Sequence, residues 1–229
     1  MKAVIFDMDG VIFDSERAVF ECWKEICAEH GIPDIEIHYR KCIGVTVEVT
    51  ERIMRDAYGE DFDYWGFDKQ ASLLFHARYD NGRLPIKKGA RELLSYLKER
   101  NIPIALASST RSERVKQYLE AAGLITYFSH IIGGEMVSKS KPAPDIFLKA
   151  AEKLQVEPED CVVIEDSFNG IRAAAAAGMQ PVMVPDMLEP NEEIASLCVK
   201  ICETLTDFQQ QLEENRVLFR RQSGVLEVP

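Results

Sequence analysis

Residues 1–14 read MKAVIFDMDGVIFD, and this stretch decides the fold. The apolar run at residues 3–6 is typical of a short strand that is buried on both faces of a parallel sheet. Asp7 and Asp9 follow at the carboxyl end of this strand, where sheets of this kind place their ligands. Two carboxylates at this spacing can converge on one cation or one reacting atom, although the solvated aspartates of a capping turn have the same pattern.

Short apolar runs alternate with amphipathic helical stretches along most of the remaining chain. Further strands are expected at residues 104–107, 131–132, 161–164 and 182–184. Helices are expected at residues 89–100, 112–122, 145–154 and 170–177. This alternation indicates an α/β fold with a doubly wound, Rossmann-like parallel sheet that helices cover on both faces.

One long interval breaks this alternation. Residues 15–85 contain no convincing strand, and apolar side chains recur there at steps of three and four residues, as on an amphipathic helix. We therefore expect an all-helical domain at residues 15–85, inserted into a core formed by residues 1–14 and 86–229. The segment after Phe219 is expected to be a loosely held tail.

The composition argues against several classes of function. A net charge of -11 and an isoelectric point near 5.0 disfavour nucleic acid or an anionic membrane as the partner. The N-terminal apolar run is too short for a bilayer span, no basic region with a cleavage site precedes it, and the six cysteines form no CxxC pair. These features predict a cytoplasmic protein with reduced thiols. The four histidines show no spacing typical of a zinc site.

Three further polar features lie near predicted strand ends. Ser108 and Ser109 follow the second strand, where they can bind phosphate oxygens or simply cap the next helix. Lys141 stands in the loop sequence SKPAP, whose prolines can hold its ammonium in place, although most loop lysines are solvated. Glu165 and Asp166 follow the fourth strand, and their carboxylate oxygens suit Mg²⁺.

The order of these features along the chain resembles the haloacid dehalogenase superfamily. The resemblance covers nearly the whole chain and rests on FDMDGV, ALASS, KPAPDIF and EDSFNGI. The inserted helical domain resembles the cap of that family. The match is closest to the branch that holds β-phosphoglucomutases and small sugar-phosphate phosphatases. The resemblance implies a Mg²⁺-dependent phosphoryl-transfer enzyme that acts on a small phosphorylated metabolite.

The resemblance also implies a role for each of the polar residues. Asp7 is expected to attack phosphorus and form an aspartyl phosphate, while Asp9 protonates the leaving alcohol and then activates water. The implied Mg²⁺ site comprises Asp7, the backbone carbonyl of Asp9, and Asp166, with Glu165 nearby. The phosphoryl oxygens are expected to be held by Ser108, the N–H of Ser109, and Lys141.

Four functions compete as interpretations of these motifs, and one of them, a phospho-receiver module, is not an enzyme. A phospho-receiver module needs neither Asp9 nor an inserted helical domain, and a true haloacid dehalogenase has no second acid at the position of Asp9. A β-phosphoglucomutase carries a cap histidine and a phosphate-binding arginine where this chain has Val19 and Val47. Ser15 and Arg78 are only loose matches to other mutase positions. We therefore favour a phosphatase for a small phosphomonoester, with a sugar phosphate as the expected substrate, over the mutase.

Overall fold

The computed structural model describes residues 1–214, which contain a sheet of six parallel strands. The strands are β1 (Ala3–Phe6), β2 (Ile104–Ser108), β3 (His130–Gly133), β4 (Cys161–Glu165), β5 (Gln180–Met183) and β6 (Lys200–Ile201). Their order across the sheet is β3-β2-β1-β4-β5-β6, which is the doubly wound order of Rossmann-like folds. The expected fold class is therefore confirmed. The tail expected after Phe219 lies outside the described residues.

Helices surround the sheet and form the insertion. Between β1 and β2 lie α1 (Ser15–His30), α2 (Ile35–Cys42), α3 (Val47–Tyr58) and α4 (Tyr64–Tyr79), followed by α5 (Ala90–Glu99). The remaining helices are α6 (Ser112–Ala121), α7 (Asp145–Leu154), α8 (Phe168–Ala176), α9 (Glu192–Leu197) and α10 (Leu205–Glu213). Helices α1 to α4 form the expected helical cap.

The sheet is buried on both faces, because successive side chains of a strand point to opposite sides. Val4 and Phe6 of β1 pack with residues of α5, α6 and α10 on one face. Ala3 and Ile5 pack with residues of α7 and α8 on the other face. This two-sided burial is the reason why β1 is an uninterrupted apolar run rather than an alternating one.

The cap has a hydrophobic core of its own. Trp23 of α1 packs edge-on against Tyr39 of α2 and Phe67 of α4, with ring centroids 5.1 and 5.0 Å apart. The two segments that join the cap to the sheet pair with each other, since the amide of Asp14 donates to the carbonyl of Pro85 at 2.8 Å. The cap is therefore attached through one short paired segment.

The sequence pattern predicts the central strands better than the periphery. It does not predict α2, α9, α10 or β6, which has only two residues at the edge of the sheet. β5 begins at Gln180, two residues before the expected start. Gln180 is buried because its side-chain amide donates to the carbonyl of Glu159 at 2.7 Å, so a polar residue can open this strand. Within residues 1–214, no helix is both long enough and apolar enough to cross a membrane.

Candidate active site

The carboxyl ends of β1, β2 and β4 meet at one edge of the sheet. Phe6 pairs with Leu106 of β2 and with Ile164 of β4. The amide of Asp7 donates to the carbonyl of Ile164 at 3.0 Å, so Asp7 lies beside Glu165, the last residue of β4. The strand order reverses between β1 and β4, which is where doubly wound sheets open a crevice for ligands.

Lys141 reaches this edge from the loop before α7 and links two of the acids. Its ammonium lies 2.5 Å from Oδ1 of Asp7 and 2.7 Å from Oε1 of Glu165. The Lys141 side chain is only 8% exposed, so it is not an ordinary solvated loop lysine. Burial by itself lowers the pKa of Lys141, but the two carboxylates outweigh this effect and raise it, so the ammonium stays charged.

Asp7, Glu165 and Asp166 form a buried cluster whose carboxylate oxygens lie within 4.8 Å of one another. Burial raises the pKa of Asp7 to about 8, against the opposing effect of Lys141. Burial, together with repulsion from Glu165 and Asp7, raises the pKa of Asp166 well above its usual range. One ammonium cannot balance three buried carboxylates, so this set of oxygen donors fits a hard divalent cation.

Glu165 uses both of its carboxylate oxygens within the protein. Oε1 accepts from Lys141, and Oε2 accepts from the amides of Asp166 and Ser167 at 2.9 and 2.8 Å and from the Ser167 hydroxyl at 2.9 Å. These bonds fix the turn between β4 and α8. The carboxylate of Asp166, in contrast, accepts no hydrogen bond from residues 1–214. Asp166 is therefore freer than Glu165 to bind a cation directly.

Hydroxyl groups hold Asp9. The hydroxyl of Ser15, at the start of α1, donates to Oδ1 of Asp9 at 2.7 Å, and that of Thr110 donates to Oδ2 at 3.3 Å. The hydroxyl of Ser108 is 3.5 Å from the same Oδ2. Burial raises the pKa of Asp9, and these hydroxyls oppose the rise. A carboxyl group in such surroundings can carry a proton and give it up, as a general acid and base must.

The two serines after β2 occupy different environments. Ser108 is fully buried, and its hydroxyl oxygen accepts the amide of Thr110 at 3.0 Å, which shapes the turn that leads toward α6. Ser109 is exposed and lines a cavity together with Asp7 and Asp9. The turn therefore presents Ser109 to a ligand.

A cavity of about 670 Å³ lies over this edge of the sheet, between the core and the cap. Its floor includes Asp7, Asp9, Ser109, Lys141, Glu165 and Asp166. Its apolar lining comes from the cap and includes Val19, Trp23, Ile43, Val45, Val47 and Tyr64. The cap also contacts the core beside the cavity, where the side-chain amide of Asn169 donates to the carbonyl of Gly44. Asp7, Glu165 and Asp166 thus lie buried beneath the cap, which limits their contact with water.

Glu16 is a cavity residue that the sequence did not predict. It stands in the first turn of α1, where an acid usually complements the helix dipole at the surface, so its position carries no signal of a site. The hydroxyl of Tyr39 lies 3.1 Å from Oε2 of Glu16 and 2.9 Å from its backbone carbonyl. Burial raises the pKa of Glu16 to about 7, and repulsion from Asp9 adds to the rise.

Of the cap residues that were compared with mutase positions, two valines line the cavity and the arginine does not. Val19 and Val47 both line the cavity, and Val47 is 49% exposed. Arg78 does not line it, because its guanidinium pairs with Glu25 of α1 at 2.8 Å on the cap surface. In the described part of the chain, Lys141 is the only cationic side chain that lines the cavity.

Comparisons with known proteins agree with this arrangement. A family model of haloacid dehalogenase-like hydrolases matches residues 1–178. A phosphorylated carbohydrates phosphatase of Thermotoga maritima is 35% identical over 182 residues, which are 80% of this chain and 84% of that protein. A β-phosphoglucomutase of Bacillus subtilis is 37% identical over 192 residues, 80% and 83% of the two chains. The crystal structure of a HAD family hydrolase from Deinococcus radiodurans, with bound phosphate and sodium, has a TM-score of 0.79 at 28% identity, over 95% of this chain and 97% of that one.

Proposed function

The chain belongs to the haloacid dehalogenase-like hydrolases, and on that premise we propose that it hydrolyses a sugar phosphate through an aspartyl phosphate on Asp7. The observation that carries the proposal is the buried group formed by Lys141, Asp7, Glu165 and Asp166 under the cap. A positioned ammonium beside a carboxylate suits the transfer of a phosphoryl group to that carboxylate.

The acid cluster is proposed as a Mg²⁺ site. Asp7, Asp166 and the backbone carbonyl of Asp9 would hold the ion, while Glu165 keeps Asp166 and Lys141 in position. Bound there, Mg²⁺ would reduce the repulsion between the phosphoryl oxygens and the attacking carboxylate. The raised pKa values of Asp7 and Asp166 support this proposal, because they reflect an excess of buried negative charge.

The proposed first step forms the phosphoenzyme. A carboxylate oxygen of Asp7 attacks phosphorus, and the bond from phosphorus to the leaving alcohol breaks. Lys141 holds Asp7 at 2.5 Å and would also bind a phosphoryl oxygen, in a site where no other cationic side chain of residues 1–214 is available. Ser108 and the amide of Ser109 would bind the remaining oxygens from the end of β2.

Asp9 would move the proton in both steps. As the ester bond breaks, its carboxyl group donates a proton to the alcohol oxygen, and its carboxylate then takes a proton from the water that attacks the aspartyl phosphate. Ser15 and Thr110 support this role, because their hydroxyls orient the Asp9 carboxyl group without neutralising it.

Hydrolysis is favoured over transfer within a sugar because of the cap. A mutase must bind a bisphosphate intermediate by either of its two phosphates, and the distant phosphate ordinarily requires a bidentate cation. Val19 and Val47 cannot supply one, and Arg78 is engaged with Glu25 outside the cavity. Losing such a contact typically costs about 2–5 kcal/mol, enough for hydrolysis to prevail over transfer.

The domain boundaries at residues 14 and 85 and the cytoplasmic location remain proposals. The pairing of Asp14 with Pro85 supports the domain boundaries, because both linkers meet at that point.

The free state of all six cysteines supports the cytoplasmic location.

A panel of phosphorylated metabolites tests the proposed activity. Sugar phosphates, nucleotides and p-nitrophenyl phosphate are incubated with the protein and Mg²⁺, and the released phosphate is measured. We expect release from several esters, with the highest kcat/KM for a sugar monophosphate. If no ester releases phosphate above the protein-free control, the phosphatase proposal is wrong.

Removal of divalent cations should abolish the activity. EDTA should stop phosphate release, and added Mg²⁺ should restore it, whereas Ca²⁺ should not, because it prefers more ligands at longer distances. The measurement is the initial rate after dialysis against EDTA and stepwise addition of each metal. Activity that survives thorough chelation would exclude the metal from the mechanism.

The protein should release phosphate rather than move it within a sugar. It is incubated with β-glucose 1-phosphate, Mg²⁺ and a trace of glucose 1,6-bisphosphate, and both glucose 6-phosphate and free phosphate are followed over time. We expect any turnover of this ester to give free phosphate. Faster formation of glucose 6-phosphate would contradict the hydrolase proposal in favour of the mutase.

A further inference from the structure

The part of the cavity that faces the leaving group has no cationic side chain among residues 1–214. Beyond the floor acids, the cap contributes the carboxylate of Glu16 and that of Glu48, which is exposed to solvent. The only cation lining the cavity within residues 1–214 is Lys141, and it already contacts Asp7 and Glu165 on the floor. A group that enters the cap side of the cavity therefore meets the Glu16 carboxylate, apolar side chains and the hydroxyls of Tyr39, Thr46 and Thr50, but no cationic side chain of residues 1–214.

These surroundings disfavour a second anionic group on the substrate. A phosphate or carboxylate in the cap region would leave water, approach Glu16, and find no ammonium or guanidinium among the lining residues of the described chain. Desolvation of an unpaired anion is expensive, and repulsion from the Glu16 carboxylate adds to the cost. The reacting phosphate should thus be the only anion that the substrate carries.

Glu16 offers an acceptor to the rest of the substrate. The Tyr39 hydroxyl contacts its Oε2, and the other carboxylate oxygen has no hydrogen-bond partner within residues 1–214. An alkyl or aryl leaving group would cover this oxygen without bonding it, and an unpaired buried acceptor destabilises the complex. A hydroxyl group donates to it and removes that penalty.

The apolar lining is suited to the carbon skeleton of such a molecule. Val45 and Val47 are 39% and 49% exposed, so their side chains are accessible to a ligand in the cavity they line. The C–H face of a polyol or a sugar ring can pack against such side chains while its hydroxyls bond elsewhere.

We propose that the substrate is the monophosphate of an uncharged polyhydric alcohol, with no second anionic group, and that the Glu16 carboxylate, oriented by Tyr39, binds one of its hydroxyls. This inference rests on the proposed phosphatase function. It adds a rule for substrate choice and assigns a specificity-determining residue in the cap.

The first experiment compares esters that differ by one phosphate. Fructose 1-phosphate, fructose 6-phosphate and fructose 1,6-bisphosphate are assayed with Mg²⁺, as are the corresponding three glucose esters, with glucosamine 6-phosphate as an amine-bearing analogue. In each set, kcat/KM for the better monophosphate should exceed that for the bisphosphate at least tenfold. A smaller difference, or a tenfold preference for glucosamine 6-phosphate over glucose 6-phosphate, would overturn the proposal.

The second experiment tests Glu16. In Glu16→Ala, the ratio of kcat/KM for the best polyol monophosphate to that for p-nitrophenyl phosphate should fall at least fivefold, mainly through KM. Glu16→Gln retains an acceptor oxygen and should recover part of this loss. Glu21→Ala, which removes an exposed acid from the same helix, should leave the ratio unchanged. A fall below fivefold in Glu16→Ala would show that Glu16 does not bind the alcohol.

These measurements test the phosphatase function and the rule for substrate choice separately. If neither p-nitrophenyl phosphate nor any other ester releases phosphate, the phosphatase function itself is wrong. If p-nitrophenyl phosphate is hydrolysed but kcat/KM for the bisphosphates equals that for the monophosphates, the phosphatase function holds and only the rule for substrate choice is wrong.

Discussion

Replacing Asp7 by asparagine is expected to slow phosphate release at least about a thousandfold, equivalent to about 4 kcal/mol in the activation barrier. The side chain keeps its shape, but a neutral amide cannot attack phosphorus and form the acyl phosphate. The fold should survive, because the substitution removes one charge from a buried cluster that already has an excess of negative charge. The measurements are the steady-state rate with the best ester and the thermal unfolding midpoint.

Asp160 provides a matched control for this variant. It is also a buried aspartate, but it lies just before β4, at the opposite end of the strand, and pairs with Lys2 at 2.7 Å. Asp160→Asn should therefore keep its activity even if it loses some stability. If Asp7→Asn retains more than about a tenth of the wild-type rate, a barrier change below about 1.4 kcal/mol, Asp7 is not the nucleophile.

Replacing Asp9 by asparagine should slow the reaction by an amount that depends on the leaving group. An alkyl phosphate leaves as an alkoxide and needs a proton, so phosphoenzyme formation should slow by about 100-fold to 10,000-fold, the usual range for general acid catalysis. p-Nitrophenyl phosphate leaves as a stable anion, so its phosphoenzyme should form almost as fast as in the wild type. Rapid-quench measurements of the phosphoenzyme with each ester test this difference.

The same variant should also accumulate aspartyl phosphate. Without the Asp9 carboxylate no base activates water, so the second step slows while p-nitrophenyl phosphate still phosphorylates Asp7. The wild-type enzyme, run in parallel under the same quench, should show much less phosphoenzyme at steady state. Equal slowing of phosphoenzyme formation with both esters would contradict the proton-transfer role of Asp9.

The central part of the fold could be predicted from local sequence. β1, β2 and β4 are apolar runs because the sheet is covered on both faces, and two-sided burial leaves no polar positions along a strand. Peripheral elements lack this signal. β6 has two residues at the edge of the sheet, and β5 opens with Gln180, whose side-chain amide donates to the carbonyl of Glu159 once the chain is folded.

The site could be predicted only as a set of candidates. The sequence indicated Asp7, Asp9, Lys141, Glu165 and Asp166 from their positions near predicted strand ends, and the resemblance to a family gave them roles. Each of these residues had an ordinary alternative, such as a capping turn or a solvated lysine. The Lys141 ammonium is buried between two carboxylates, and this burial excludes the interpretation of Lys141 as a solvated surface lysine.

By itself, the sequence determined the α/β class, the helical insertion and the candidate acids, because strand and helix periodicity and the residues that follow each strand are local properties. Only the tertiary structure decided that Lys141 contacts Asp7 across 134 positions of chain, that Glu16 lines the cavity, and that Arg78 does not. Such facts depend on how the cap packs on the core and on which polar groups become buried together. No local pattern encodes that packing, because the sequence around a polar residue does not show whether the folded chain buries that residue or leaves it exposed.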